Sequence, residues 1–192
     1  HMTFLWCPAP ETAMAGIEKL EPGFALEVKQ GKVLRRWRHY DLPTGQVTPF
    51  RGTKEEAVEA VQEVLKVAVR RQLIADVPVG AFLSGGLDSS SMVALAQDEN
   101  NQADMRCFTI GMKGVDENRD GVISDLPYAK RVAEHLGVNL NTIWLQPNMI
   151  RRLEEMIWHL DEPQADPAPI NALFISERAR NHGIKVLLSG AG

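Results

Sequence analysis

The residues best suited to chemistry lie in one short string, Ser84-Gly85-Gly86-Leu87-Asp88-Ser89-Ser90. It follows the apolar run Val79–Leu83 and precedes a stretch with helical apolar spacing. Glycine has no Cβ, so the backbone can take positive φ and come close to a ligand. The amides of such a turn and of the helix behind it point outward together, and the helix dipole adds positive potential. Ser84, Ser89 and Ser90 add hydroxyl donors. This chemistry suits a phosphate or pyrophosphate. Asp88 would repel such an anion unless it caps the helix or holds a cation. A magnesium ion bridging the carboxylate and phosphate oxygens fits the second role. No lysine follows as in G-x-x-x-x-G-K-[ST], and the string is not G-x-G-x-x-G. A structural glycine turn is the alternative.

Two other segments compete. In 116–127, Asp116, Asn118, Asp120, Gly121 and Ile123 match the opening of a calcium-binding EF-hand loop. The twelfth position, where a bidentate Glu belongs, is Pro127, and a strand with a glycine turn stands where the entering helix should be. A solvated acidic loop is the other reading. At the end of the chain, Gly190-Ala191-Gly192 could open a dinucleotide G-x-G-x-x-G.

These sites need elements to hold them. Strands are predicted at 79–84, 106–111, 140–145 and 184–189, and helices at 88–98, 126–136, 148–160 and 169–182. The strands are short, continuous and apolar, as in a sheet covered on both faces. Their alternation with helices predicts a parallel sheet with right-handed crossovers. Ligands of such sheets bind beyond the carboxyl ends of the strands. That edge carries Ser84–Ser91, Gly111–Asp125, Gln146–Asn148 and Ser189–Gly192.

Before the sheet, Thr53 with Glu56 three residues on predicts a capping box. Apolar positions 57, 58, 61, 64, 65 and 68 then predict a helix to about Ile74. Earlier still, two runs flank Gln30-Gly31, a hairpin signal. This β-rich lead-in ends in a linker marked by Pro43, Gly45, Pro49 and Gly52. Arg35-Arg36-Trp37-Arg38-His39 reads as the polar face and end of a hairpin strand.

The 192-residue chain is 44% hydrophobic and 24% charged, an ordinary globular composition. A net charge of −4 carries no footprint for nucleic acid. Cys7 and Cys107 form no Cys-x-x-Cys, and Cys107, inside Cys107-Phe108-Thr109-Ile110, reads as a core residue. No run approaches the ~20 apolar residues of a membrane span, and no signal peptide is visible, so the expected location is cytoplasmic. His1-Met2 resembles a cloning remnant, and both ends read as cuts in a longer protein.

The full string resembles the S-G-G-x-D-S loop of the N-type ATP pyrophosphatases. With its neighbours, "DVPVGAFLSGGLDSS", it resembles the synthetase domain of glutamine-hydrolysing asparagine synthetases. "CFTIGM", "YAKRVAEHLG" and "LDEPQADPAPINALFISERARNHGIKVLLSGAG" are similar to later segments of that domain, in the same order. "PETAMAGIEKLEPGFALEVKQGKVLRRWRHYDLP" resembles the end of the preceding glutaminase domain and the linker. The resemblance implies an α/β domain of the adenine-nucleotide α-hydrolase type, with a parallel sheet and helices on both faces, preceded by a short β-hairpin segment. Residues 1–52 would close a glutaminase-type domain; 53–192 would begin the ATP-pyrophosphatase domain.

It further implies ATP and Mg2+. A carboxylate attacks the α-phosphorus of ATP, pyrophosphate leaves, and glutamine-derived ammonia displaces AMP. Ser84, Gly85, Gly86, Leu87, Asp88, Ser89 and Ser90 would hold pyrophosphate, with Asp88 on magnesium. Phe82 or Leu83, and Ile110 with Gly111, would wall the adenine; core packing is the equal alternative for Phe82, Leu83 and Ile110. Ser189 and Gly190 would meet the adenylate. Asp161, Glu162 and Asp166 lie on the family's substrate side or form a solvated acidic loop. The implied partners are a small carboxylate, ammonia and a glutaminase domain, with a homodimer allowed and neither nucleic acid nor membrane involved. Asparagine-making members carry an acidic residue after Leu-Ser-Gly, where this chain has Ala191, so the acceptor acid stays open between aspartate and another carboxylate. The family's catalytic acids and lysine fall beyond Gly192, and its nucleophilic cysteine is not Cys7. The alternatives are another ATP pyrophosphatase, such as a GMP synthetase or a tRNA-modifying ligase, and a non-catalytic nucleotide- or calcium-binding module.

Overall fold

The structure, a computed structural model, describes residues 4–43, 48–100, 105–112, 124–160, 162–166 and 168–190. It forms two compact units, His1–Arg51 with Glu154–Pro167, and Gly52–Leu153 with Ala168–Gly192.

The first unit is built on a hairpin. Strands β1 (Phe24–Lys29) and β2 (Lys32–Arg38) pair antiparallel. Gln30 and Gly31 join them with φ of 50° and 75°. Two positive φ values in a two-residue loop match the strands' twist. The register slips between Glu27 and Val28, so Leu34 is extra on β2 and forms a bulge. The basic stretch is locally compensated. Arg36 pairs with Glu21, and Arg38 pairs with Asp41 at 2.7 Å. The Arg36 and Arg38 guanidiniums lie 4.9 and 5.0 Å from the Phe24 ring centre, and Arg35 lies 4.6 Å from that of Trp37.

The second unit opens with α1 (Lys54–Gln72). The predicted capping box is present: Glu56 N–H donates to Thr53 Oγ1 at 3.2 Å, and Thr53 N–H to Glu56 Oε2 at 2.7 Å. Then follow β3 (Val79–Phe82), α2 (Leu87–Asn100), β4 (Arg106–Met112), α3 (Leu126–Leu136) and β5 (Asn139–Leu145). A 3-10 helix (Pro147–Arg152) leads into α4 (Leu153–His159), which from Glu154 on belongs to the first unit, and in the second unit α5 (Ala168–Asn181) precedes β6 (Val186–Leu188). All four strands of this sheet run parallel in the order β5-β4-β3-β6.

Period-two alternation explains why both faces are buried. Ala81, Leu83, Cys107 and Leu188 face one core with Val69 of α1, Val93 and Ala96 of α2, and Ala129 and Ala133 of α3. Phe82, Phe108, Ile110 and Leu187 face the other, with Ile175 and Ala179 of α5. The helices therefore cover both faces, as the continuous apolar strands predict. None of the described helices is long and apolar enough to cross a membrane.

Several boundaries differ from the sequence expectation: the strand expected over 184–189 is shorter, Val186–Leu188, and two further differences have a visible cause. The first strand stops at Phe82, because Ser84 turns its N–H to Ser89 Oγ instead of to a neighbouring strand. The helix expected over 148–160 begins as a 3-10 turn; the Leu153 N–H still bonds back three residues, to the Ile150 carbonyl.

Candidate functional site

The strand order reverses at β3. Its loop turns toward β4, whereas the chain later returns to place β6 on its other side. A crevice forms at the carboxyl ends of such strands. The loop after β3 and the residues after β6 meet there.

The loop after β3 is stapled by its own serines. Ser84 Oγ and Ser89 Oγ lie 2.9 Å apart. The Ser84 N–H donates to Ser89 Oγ, the Gly86 N–H donates to Ser84 Oγ, and Ser89 Oγ donates to the Gly86 carbonyl, each at 3.3 Å. Ser84 and Ser89 therefore hold the shape of the turn, a narrower role than free donors would have. The Ser90 N–H makes the first helical bond, to the Gly86 carbonyl at 3.0 Å. The N–H groups of Leu87, Asp88 and Ser89 precede it and have no acceptor within the helix. Ser90 Oγ is buried with no hydrogen-bond partner. Unused donors clustered at a helix start match an anion.

Two glycines set this geometry. Gly85 has φ 84°, and a Cβ there would lie 2.4 Å from both Ala129 N and Tyr128 C. The loop is wedged against the first turn of α3. At Gly190 a Cβ would lie 2.8 Å from Ser89 N and 2.9 Å from Asp88 C. The chain after β6 thus lies on the N-terminus of α2, and Ser84–Ser90 and Gly190 are brought together with the adjoining Ser189.

The expected adenine wall is mixed. Leu83 is buried in the core, and its N–H bonds the Phe108 carbonyl at 2.9 Å. Only its carbonyl remains for a ligand. Phe82 and Ile110 are half-buried and pack on the α5 side of the sheet. Gly111 is buried, and a Cβ there would lie 2.8 Å from Trp144 Cζ3 and 3.1 Å from Leu126 Cδ2. Leu87 is 82% exposed, so its side chain stands away from the loop it belongs to.

Asp88 is exposed in the first turn of α2. No group of three or more His, Cys, Asp or Glu suited to a metal occurs among the described residues. A cation here would have one protein carboxylate and would draw its other ligands from phosphate and water. That donor set fits magnesium, which binds through one or two carboxylates plus substrate phosphates. It does not fit a cation that needs a full protein cage.

Glu162 lies in the first unit and pairs with Lys19 at 2.5 Å, and Lys19 also donates to the Cys7 carbonyl. Asp166 belongs to the same unit. Asp161, the 116–123 part of the calcium-loop reading, and Ala191 with Gly192 lie outside the described residues. Pro127 is in the first turn of α3, so helix begins where that loop's last ligand belongs.

Tyr128 and Ala129, the buttress of Gly85, carried no signal as site residues. A contact to glycine backbone leaves no chemical signature in the partner. A cavity of about 560 Å³ runs along α3, lined by Gly85, Tyr128, Arg131, Val132, Glu134 and His135. It shares only Gly85 with the loop and lacks the unused amides, so the crevice is the better candidate. In the core of the sheet, burial pushes the Cys107 thiol up to about 12.

The chain is similar to known proteins. Residues 60–192 match the family model described as Asparagine synthase. A putative glutamine-hydrolysing asparagine synthetase of Mycobacterium tuberculosis is 34% identical over 195 residues, covering 100% of this chain and 28% of the relative. Asparagine synthetase [glutamine-hydrolyzing] 1 of Bacillus subtilis is 30% identical, over 100% of this chain and 29% of the relative. The chain thus spans less than a third of the length of these relatives. Among solved structures, the U34-tRNA thiolase NcsA of Methanococcus maripaludis aligns with a TM-score of 0.49 at 20% identity, over 69% of this chain and 46% of that one. The family model covers well over half of the residues here, and the chain belongs to the asparagine synthase family.

Proposed function

We propose that this chain supplies the ATP-cleaving part of an amide-forming ligase. The observation that carries this reading is the stapled turn: the unused amides of Leu87–Ser89 and the unpartnered Ser90 hydroxyl lie together, with Gly190 packed against Asp88 and Ser89. Oriented donors of this kind stabilise charge that develops on a leaving group, and in a crevice they do so without reorganisation. Pyrophosphate leaving from ATP is such a group. Residues 53–192 would serve as the first part of an ATP-pyrophosphatase domain, and 1–52 as the end of a glutaminase-type domain. An ATP-consuming synthesis suits the cytoplasm.

In the proposed reaction an acceptor carboxylate oxygen forms a bond to the α-phosphorus, and the bond from that phosphorus to pyrophosphate breaks. Ammonia from glutamine then attacks the acyl carbon, AMP leaves with the C–O bond electrons, and ammonia loses a proton. The products are an amide, AMP and pyrophosphate. A magnesium ion would offset charge on the phosphate oxygens. Asp88 would hold that ion, Leu87–Ser89 would orient the pyrophosphate through their amides, and Ser84 with Ser89 would keep the turn in shape. Phe82, the Leu83 carbonyl, Ile110 and Gly111 would border the adenine, with Ser189 and Gly190 beside the adenylate. Aspartate is the acceptor favoured by the family; Ala191, standing where asparagine-making members have an acid, leaves room for another carboxylate.

Hydrogen exchange on this chain with magnesium and ATP tests the binding part. Protection should concentrate on Leu87–Ser90 and Ser189–Gly190. Gly190→Ala should abolish it, and Asp88→Asn should weaken it only when magnesium is present. Protection elsewhere with none here would remove the reading. In the full-length protein, AMP and pyrophosphate should form in equal amounts when the right carboxylate is supplied. ADP as the product would exclude the mechanism.

A further inference from the structure

The turn Ser84–Ser90 contains no lysine or arginine, and Asp88 adds a negative charge to it. One magnesium ion and a row of amides leave part of a triphosphate's charge uncompensated. Sites that cleave phosphoryl bonds answer this with an arginine or lysine clamp beside the metal. In this chain such a cation has to come from outside the turn.

A cavity adjoining the turn carries one. The space of about 560 Å³ along α3 is lined by Gly85 of the turn and by Arg131, Glu134 and His135 of the helix, among others. Gly85 is seated on the backbone of Tyr128 and Ala129, and Arg131 follows within one turn of α3. Helical side chains lean toward the helix N-terminus, which directs Arg131 toward the turn of α3 that meets Gly85. Arg131 is exposed and has no hydrogen bond or ion pair among the described residues. Its guanidinium stays charged at neutral pH, and its fork matches two phosphate oxygens at once. Glu134 shares the cavity, follows almost one turn later along α3, and does not pair with Arg131.

We propose that Arg131 binds the terminal phosphate of ATP while the amides of Leu87–Ser89 hold the phosphate next to it. This role rests on the ATP cleavage proposed above and adds the side chain that distinguishes ATP from ADP. The terminal phosphate then lies in the cavity, between Gly85 and Arg131. When the bond to the α-phosphorus breaks, that phosphate leaves as part of pyrophosphate, and Arg131 stays on the leaving group. Its charge offsets the negative charge that pyrophosphate gains. The Glu134 carboxylate works against the phosphate, so the two charges of the cavity have opposite effects on binding.

Isothermal titration calorimetry on this chain, with magnesium and each of ATP, ADP and AMP, tests the assignment. Arg131→Gln should weaken ATP about tenfold, the effect of one lost charged hydrogen-bonded contact, and leave ADP and AMP unchanged. Arg131→Lys keeps the charge without the fork and should fall between. Glu134→Gln should tighten ATP and leave AMP unchanged. Arg131 is exposed and unpaired among the described residues, so the melting temperature of Arg131→Gln should match that of the wild type. Equal weakening of all three nucleotides, or ATP binding that ignores Arg131→Gln, would overturn the role of Arg131 and leave the ATP site standing. A wild-type chain that binds none of the three would remove both.

Discussion

Two tight turns in this chain use glycine for different purposes. Gln30-Gly31 joins β1 to β2, and a Cβ on Gly31 would meet nothing within 4 Å. That glycine answers only to its φ of 75°. Ser84-Gly85-Gly86 joins β3 to α2, where Gly85 combines a positive φ with backbone of α3 in the space a side chain would need. Around the hairpin, charges are compensated by neighbours: Arg36 by Glu21, Arg38 by Asp41. At the second turn, donors are held together and left unused. A connector satisfies its own groups, whereas a site keeps groups poised for something else.

The largest expected effect separates the two glycines. Gly31→Ala should cost about 1–2 kcal/mol, the penalty of a left-handed residue. Gly85→Ala meets main-chain atoms of Tyr128 and Ala129 at 2.4 Å, and neither can rotate away. It should cost more than about 4 kcal/mol, in the range where a change is diagnostic of a backbone constraint. Urea denaturation of both variants measures the gap. Equal costs would mean that α3 yields, and the wedge would lose its meaning.

Much of this contrast could be read in the residues themselves. Gln30-Gly31 between two polar-apolar runs is a local signal, and Thr53 with Glu56 is another; both depend on neighbours in sequence. The strand-turn-helix around Ser84–Ser90 was also legible, because apolar period and glycine position are local. The pairing of Gly190 with Ser89 could only be anticipated through the edge rule for parallel sheets, since about a hundred residues separate them. The roles of Tyr128 and Ala129 could not be read at all. The hydroxyls of Ser84 and Ser89 look identical in sequence to that of Ser90, yet two of them bond each other and one has no partner. Which donor is occupied depends on ångström-scale geometry, which residue type does not encode.

The same comparison extends to the two cysteines. Cys107 is fully buried in β4, and burial pushes its thiol from 9.0 up to about 12. In the unfolded chain the thiol ionises near 9, so between about 9 and 12 the folded state holds the proton that the unfolded state loses. This contribution is fully present below 9 and is lost as pH rises through that window, by about tenfold in the folding equilibrium per pH unit. Cys107→Ala should be less stable at neutral pH but should lack this part of the alkaline slope. Matching slopes in the two proteins would show that Cys107 is less isolated than its burial indicates. Cys7, half-exposed in the first unit, should react with a thiol reagent before unfolding, and Cys107 only after.

A smaller effect is expected where the second unit begins. Thr53→Ala removes the hydroxyl that accepts the Glu56 N–H and should cost about 1 kcal/mol. Glu56→Gln keeps a side-chain acceptor for the Thr53 N–H and should cost less. If both cost the same, the Glu56 charge matters more at the helix start than the reciprocal bonds do.

The smallest effect belongs to the hairpin. Arg38 is paired with Asp41 and lies against Phe24, but all of this is at the surface. An exposed ion pair contributes about 0.2–1 kcal/mol, and an exposed cation–π contact a similar amount. Arg38→Ala removes both, while Asp41→Asn removes the charge pair and leaves the ring contact. The difference between the two variants therefore isolates the contribution of Phe24. Salt should erase most of the effect of Asp41→Asn and little of what remains for Arg38→Ala, because the ring contact also rests on packing of the arginine stem. If salt erases both equally, Phe24 contributes nothing, and the hairpin is compensated by charge alone.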